Sequence, residues 1–285
     1  MRKFAVISDS SADLDDNLRD KYPVTLVPFT ISFPSREFVD NENADTKELM
    51  EFMKETSEVI TSSCPSPGDY LEALEKNKDA DSIFIQTISG RLSGSFNSAM
   101  VAKDMFLENN PEKNVHVIDS SVAGAGSTAL FLKLYEYIND GLEFSEIVEK
   151  IEKVRPKVRT LFNSEDFSQL VKNGRMLKIT GTVAHAINLQ PIMRDNSEGE
   201  ITTEKITRGL KGMAKGMIDA IAKYTSDQSD KILVISHNYA EDKVNLLLEK
   251  VRENFNFKEI HVVPTSMICT SYVSYRGIIV GFIRD

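Results

Sequence analysis

Along the first half of the chain, short continuous apolar runs alternate with longer stretches whose apolar positions fall on one helical face. Residues 3–8, 24–33, 82–88 and 115–118 read as strands, buried runs too short for helices and bounded by turn formers. Between them, helices are predicted from the Asp9-Ser10-Ser11 cap to about residue 21, then over 47–56, 69–76, from residue 95 to about 108, over 128–139 and over 143–153. In the second of these, Leu49, Met50 and Met53 share a face behind an Asp45-Thr46 cap. Buried strands that alternate with helices form a parallel sheet covered on both faces. Ligands of such sheets sit at the carboxyl ends of the strands. Three of those ends carry hydroxyls: Asp9-Ser10-Ser11, residues 89–95, and Asp119-Ser120-Ser121.

Pro156 closes the last of these helices, and the pattern changes after it. Residues 189–194 and 200–203 flank a turn containing Asn196 and Gly199, the signature of an antiparallel hairpin. A long helix is expected over 203–224, a strand over 231–236, a helix over 240–254, and strands over 259–264 and 277–283. These readings divide the chain into a parallel α/β domain, residues 1–155, and a mixed-sheet α/β domain, residues 156–285.

Composition narrows the function. Among 285 residues, 41% are hydrophobic and 27% charged, values of a folded globular protein. A net charge of -9 without a basic run excludes a nucleic-acid partner, which would need clustered Lys and Arg. The apolar run at residues 4–7 is too short for a signal peptide, and no stretch is long enough to span a membrane. The two cysteines, Cys64 and Cys269, form no metal-site spacing and suit a reducing compartment, so a cytoplasmic location is expected.

Candidate motifs sort by their physical requirements. The segment Gly124-Ala125-Gly126-Ser127-Thr128-Ala129 fits a loose dinucleotide fingerprint, but the first strand-to-helix turn has no glycine, so close packing of a helix explains it better. No nucleophile elbow or paired metal histidines occur, so no catalytic residue is assigned. The four histidines, His116, His185, His237 and His261, are scattered, and only His237 stands at a strand end within reach of a ligand. The loop containing Ser93 is more informative: its hydroxyl and the unpaired N–H groups of the following helix can converge on an anion, or the serine can simply cap that helix.

Taken in order, several segments resemble the DegV family over almost the whole chain. They are Val6-Ile7-Ser8-Asp9-Ser10-Ser11-Ala12-Asp13-Leu14, the Ser62-Ser63-Cys64-Pro65-Ser66-Pro67 loop, and residues 88–99 with their Leu92-Ser93-Gly94 core. Val117-Ile118-Asp119-Ser120, Leu170-Val171-Lys172-Asn173-Gly174-Arg175-Met176 and Leu189-Gln190-Pro191-Ile192 continue the likeness. The resemblance implies a Rossmann-like N-terminal α/β domain joined to a mixed-sheet α/β domain. It also implies a non-catalytic carrier that buries a long-chain fatty acid between them, needs no cofactor, and presents the carboxylate to a fatty-acid kinase.

Carried over residue by residue, the resemblance places carboxylate-binding hydroxyls at Ser62 and Ser93, with the backbone N–H of Gly94 beside them. Two hydroxyls and a helix N-terminus hold a carboxylate through charge-assisted bonds. The acyl tail adds about 0.8 kcal/mol for each buried CH₂. Where the family usually has His and then Gly-Pro-Gly, this chain has Tyr272-Val273-Ser274-Tyr275-Arg276. Tyr272 can donate a hydrogen bond and Arg276 can pair with a carboxylate, and the missing glycines imply a different loop path. Lys172, Arg175, Arg208 and Lys211 resemble the region that meets the kinase, while a charged solvated face is the plainer account of them. The alternative reading is a small-molecule enzyme or a sugar-phosphate or other anion binder using the same hydroxyl loops.

Overall fold

The computed structural model describes residues 2–176, 188–196 and 198–285; His185 and Ser197 of the hairpin turn lie outside them. The first half runs β1 (Arg2–Asp9), α1 (Asp16–Lys21), β2 (Thr25–Val27), β3 (Thr30–Ser32), β4 (Glu37–Val39), α2 (Thr46–Glu55) and β5 (Thr61–Ser63). It continues with α3 (Pro67–Lys76), β6 (Ala80–Thr87), α4 (Ser95–Asn109), β7 (Asn114–Asp119), α5 (Ala125–Asn139) and α6 (Phe144–Val154). After a 3-10 turn at Arg155–Lys157 come β8 (Val158–Asn163), α7 (Ser168–Lys172), β9 (Leu189–Asp195), β10 (Ile201–Arg208) and α8 (Gly209–Tyr224). The chain closes with β11 (Ile232–His237), α9 (Glu241–Asn254), β12 (Glu259–Pro264), α10 (Met267–Val273) and β13 (Ile278–Ile283).

Among the described residues, β2, β1, β6 and β7 form a parallel sheet in that order. Its central strands are apolar on both faces because helices cover both, and Ile7, Ile83, Phe84 and Ile85 are fully buried. A second, mixed sheet has the order β10-β9-β8-β13-β11-β12. A small antiparallel sheet, β4-β3-β5, stands apart from both.

Three expectations are corrected by this architecture. The first helix starts at Asp16 under an Asp15 cap, while Ser10 and Ser11 stay buried in the preceding loop. The strand expected over 24–33 is two strands in different sheets, because Pro28 has no N–H with which to continue a ladder. Residues 203–208 extend the hairpin rather than opening α8, consistent with the β-branched Thr203, Ile206 and Thr207, and the ladder runs to the Arg208–Leu189 pair. Strand β8 had no sequence signature, since it is buried on both faces and shows no alternation.

Helix α5 lies on the N-terminal side of Pro156 yet packs on β8, β11 and β13 of the second sheet. The approach is close at two glycines. A Cβ on Gly126 would fall 2.1 Å from Thr160 Oγ1, and one on Gly281 would fall 2.2 Å from the backbone of Ala125. The glycine motif of residues 124–129 therefore serves helix packing, and its partner is the second sheet. One apolar core, including Phe131, Leu134, Phe162 and Ile279, runs continuously through both halves.

Candidate functional site

The loops at the carboxyl ends of β1, β6 and β7 meet α10 and the second sheet around a cavity. Phe29, Ile88, Leu92, Phe162, Ile268 and Ile279 are among its apolar wall residues.

Polar groups gather on part of this wall. Ser62 projects from β5, and its Oγ is 2.8 Å from the hydroxyl of Tyr272 at the end of α10. Cys64 Sγ lies against Gly94, 3.4 Å from where a Cβ would stand. Ser93 and Gly94 precede α4, and Ser93 Oγ accepts the N–H of Ser95 at 3.2 Å. The bond to Ser95 and the cavity position thus coexist in one serine, while the N-cap position of α4 itself is Gly94. The first N–H groups of α4 have no carbonyl partner within the helix and carry its positive end. Arg175 also lines the cavity, donating through Nε to Leu92 O at 3.4 Å and through Nη1 to Asn173 O at 2.6 Å.

Helix α10 contributes Ile268, Cys269, Tyr272 and Val273 to the wall, and carboxylates of the first half hold its N-terminus. Asp13 Oδ1 accepts the Ser266 N–H at 2.8 Å. Asp40 accepts those of Met267 and Ile268 at 2.9 and 3.0 Å. Burial pushes the Asp40 carboxyl up to about 6, with the N–H of Ile268, Ser10 and the N–H of Met267 pulling against it. Burial likewise raises Asp13 and, well above the usual thiol range, Cys269.

Ser62, Ser93, Gly94 and Tyr272 therefore share one cavity. Arg276 does not join them, which corrects its expected role as a carboxylate ligand. Its guanidinium donates to Glu165 at 2.8 Å and Asp242 at 2.7 Å, and it is absent from the cavity wall. Those two acids neutralise it at the surface. The loop keeps left-handed turns without glycine: Ser274 and Arg276 have φ of 59° and 60°, and neighbouring Tyr239 has 49°. His237 also lies off the wall; its Nδ1 accepts the Ala240 N–H at 3.3 Å, and burial lowers its pKa. Lys172, Arg208 and Lys211 are exposed, whereas Arg175 reaches the cavity.

Ser11, Cys64 and Arg175 were not assigned to the ligand site from the sequence, although the hydroxyl cluster at the end of β1 pointed toward Ser11. Asp195 lines the cavity as well, with its carboxylate bonded to Arg159 and to the Thr160 N–H. Among the described residues, no group of three or more His, Cys, Asp or Glu is placed to hold a metal ion. No helix among them is long and apolar enough to cross a membrane.

The family described as "Uncharacterised protein, DegV family" matches residues 3–284. A DegV domain-containing protein of Streptococcus pneumoniae, spr0652, is 36% identical over 282 residues, covering 98% of this chain and 99% of its own. A DegV family protein from Ruminococcus gnavus, refined with vaccenic acid, superposes with a TM-score of 0.92 at 32% identity, over 98% of this chain and 99% of that one. The Streptococcus pneumoniae fatty acid kinase B3 protein loaded with linoleic acid gives 0.91 at 35% identity, over the full length of both chains.

Proposed function

The chain belongs to the DegV family, and from that premise we propose that it is a non-catalytic fatty-acid-binding protein. The observation that carries this reading is the pairing of a mostly apolar wall with hydroxyls and a helix N-terminus in one cavity. The apolar wall takes the acyl chain, at about 0.8 kcal/mol per CH₂ removed from water. The hydroxyls of Ser62, Ser93 and Tyr272 and the N–H of Gly94 bind the carboxylate, and the positive end of α4 favours its charge. Relatives refined with vaccenic and linoleic acids support that ligand class.

The likeness to a fatty acid kinase B3 protein supports a further step, presentation of the bound carboxylate to a kinase. Exposed Lys172, Arg208 and Lys211 would form the docking surface. Arg175 would stand where that surface meets the cavity. The free thiols of Cys64 and Cys269 are consistent with work in the cytoplasm.

Mass spectrometry of the purified protein, native and then after solvent extraction, tests the reading. A fatty acid recovered near one equivalent supports it. Protein that carries no lipid and takes up none when fatty acids are added overturns it and favours the anion-binding alternative.

A further inference from the structure

Asp9 ends β1 and is completely buried, yet its carboxylate takes no part in the cavity wall. Its hydrogen bonds point in two directions. Oδ1 accepts the N–H of Ser11 at 3.2 Å and its hydroxyl at 2.5 Å, and Ser11 lines the cavity. Oδ2 accepts the N–H of Ile88 at 2.9 Å and the hydroxyl of Ser95, the first residue of α4, at 2.6 Å. The Tyr70 hydroxyl, also fully buried, lies 2.6 Å from Ser95 Oγ and 3.5 Å from the same carboxylate oxygen.

These bonds have a fixed direction. The Ser95 hydroxyl gives its one proton to Asp9 Oδ2, which leaves the Tyr70 hydroxyl as the donor to Ser95 Oγ. Tyr70 keeps its proton for this, because burial raises it well above its usual range. Burial also raises Asp9, and the bonds from Ser11, Ser95 and Ile88 oppose that shift. The same Ser95 gives its backbone N–H to Ser93 Oγ. One buried group thus ties the first residue of α4, the start of the 88–95 loop and the Ser11 loop to a single point behind the carboxylate site.

We infer that Asp9 is a positioning residue for carboxylate binding, acting through Ser95 and Tyr70 on Ser93 and the N-terminus of α4. The inference rests on the fatty-acid reading above. Its physical basis is that charge-assisted bonds to a carboxylate need their donors held in place before the ligand arrives. A relay that only stabilised the fold would affect every cavity ligand alike. A relay that aims the donors affects only ligands that carry the anion.

The test measures affinity for a long-chain fatty acid and for its methyl ester, with thermal unfolding of each variant alongside. Ser95→Ala and Asp9→Asn are expected to weaken acid binding about tenfold, the scale of impaired bonds to a charged group, and to leave ester binding unchanged. Tyr70→Phe, which keeps the ring that fills the core, should show the same selectivity at about threefold and covers the case in which the other variants do not fold. Equal losses for acid and ester, or full acid affinity in a folded variant, would overturn the inference. Wild-type protein that binds neither lipid overturns the fatty-acid reading and this inference with it.

Discussion

Ser62 and Tyr272, 210 residues apart, share a 2.8 Å hydrogen bond on the cavity wall and so close the first half of the chain onto the second beside that cavity. To reach a bound carboxylate, a bond worth about 1.5–3 kcal/mol, Tyr272 must share or give up this neutral bond of about 0.5–1.5 kcal/mol, whereas Ser93 Oγ only accepts from Ser95 and keeps its proton for the ligand. Tyr272→Phe is therefore expected to weaken fatty-acid binding less than Ser93→Ala does. Titration of both variants with one fatty acid checks the ranking, and the reverse order would mean that Tyr272 rather than Ser93 is the main carboxylate donor.

Asp40 gives the protein a defined pH response. Its folded pKa, raised to about 6 by burial, exceeds the ordinary value of about 3.9, so the native state binds this proton more tightly than the unfolded chain. The resulting stability is fully present below the unfolded value and is lost as pH rises through about 6. A gap of about 2 units corresponds to at most about 3 kcal/mol. Urea unfolding at intervals from pH 4 to 7 should show wild type losing stability relative to Asp40→Asn by that order. Parallel stability curves would show that Asp40 titrates normally.

Gly281 is required by contact rather than by conformation. A Cβ there would lie 2.2 Å from Ala125 C and O, and backbone atoms cannot rotate away as a side chain can. Gly281→Ala should force α5 off β13 and lower stability by about 3 kcal/mol or more, beyond the usual range for overpacking. Thermal unfolding measures it; a melting temperature like that of wild type would mean that the helix shifts freely.

Cys64 offers a chemical readout of occupancy. It is half-buried on the cavity wall against Gly94, while Cys269 is buried with its thiol raised well above the usual range. In delipidated protein a small alkylating reagent should label Cys64 first, since the thiolate is the reactive form and access sets the rate. Added fatty acid should slow that labelling several-fold, and an unaltered rate would place the bound lipid away from Cys64.

The alternation that makes a parallel sheet, the hairpin signal around residues 189–203 and the hydroxyls at strand ends are legible from the sequence alone, because each is written in neighbouring residues. Motif order also pointed to Ser62, Ser93 and Gly94, which line one cavity. Which distant groups meet is visible only in the packed fold. It turned Arg276 outward to Glu165 and Asp242, brought Arg175 to the cavity, and joined Asp9 to Ser95 across 86 positions. It also laid α5 on the second sheet, through glycines whose partners stand far along the chain. The reason is physical: periodicity records which face of an element is buried, but the partner of a charge or hydroxyl depends on how whole elements approach one another.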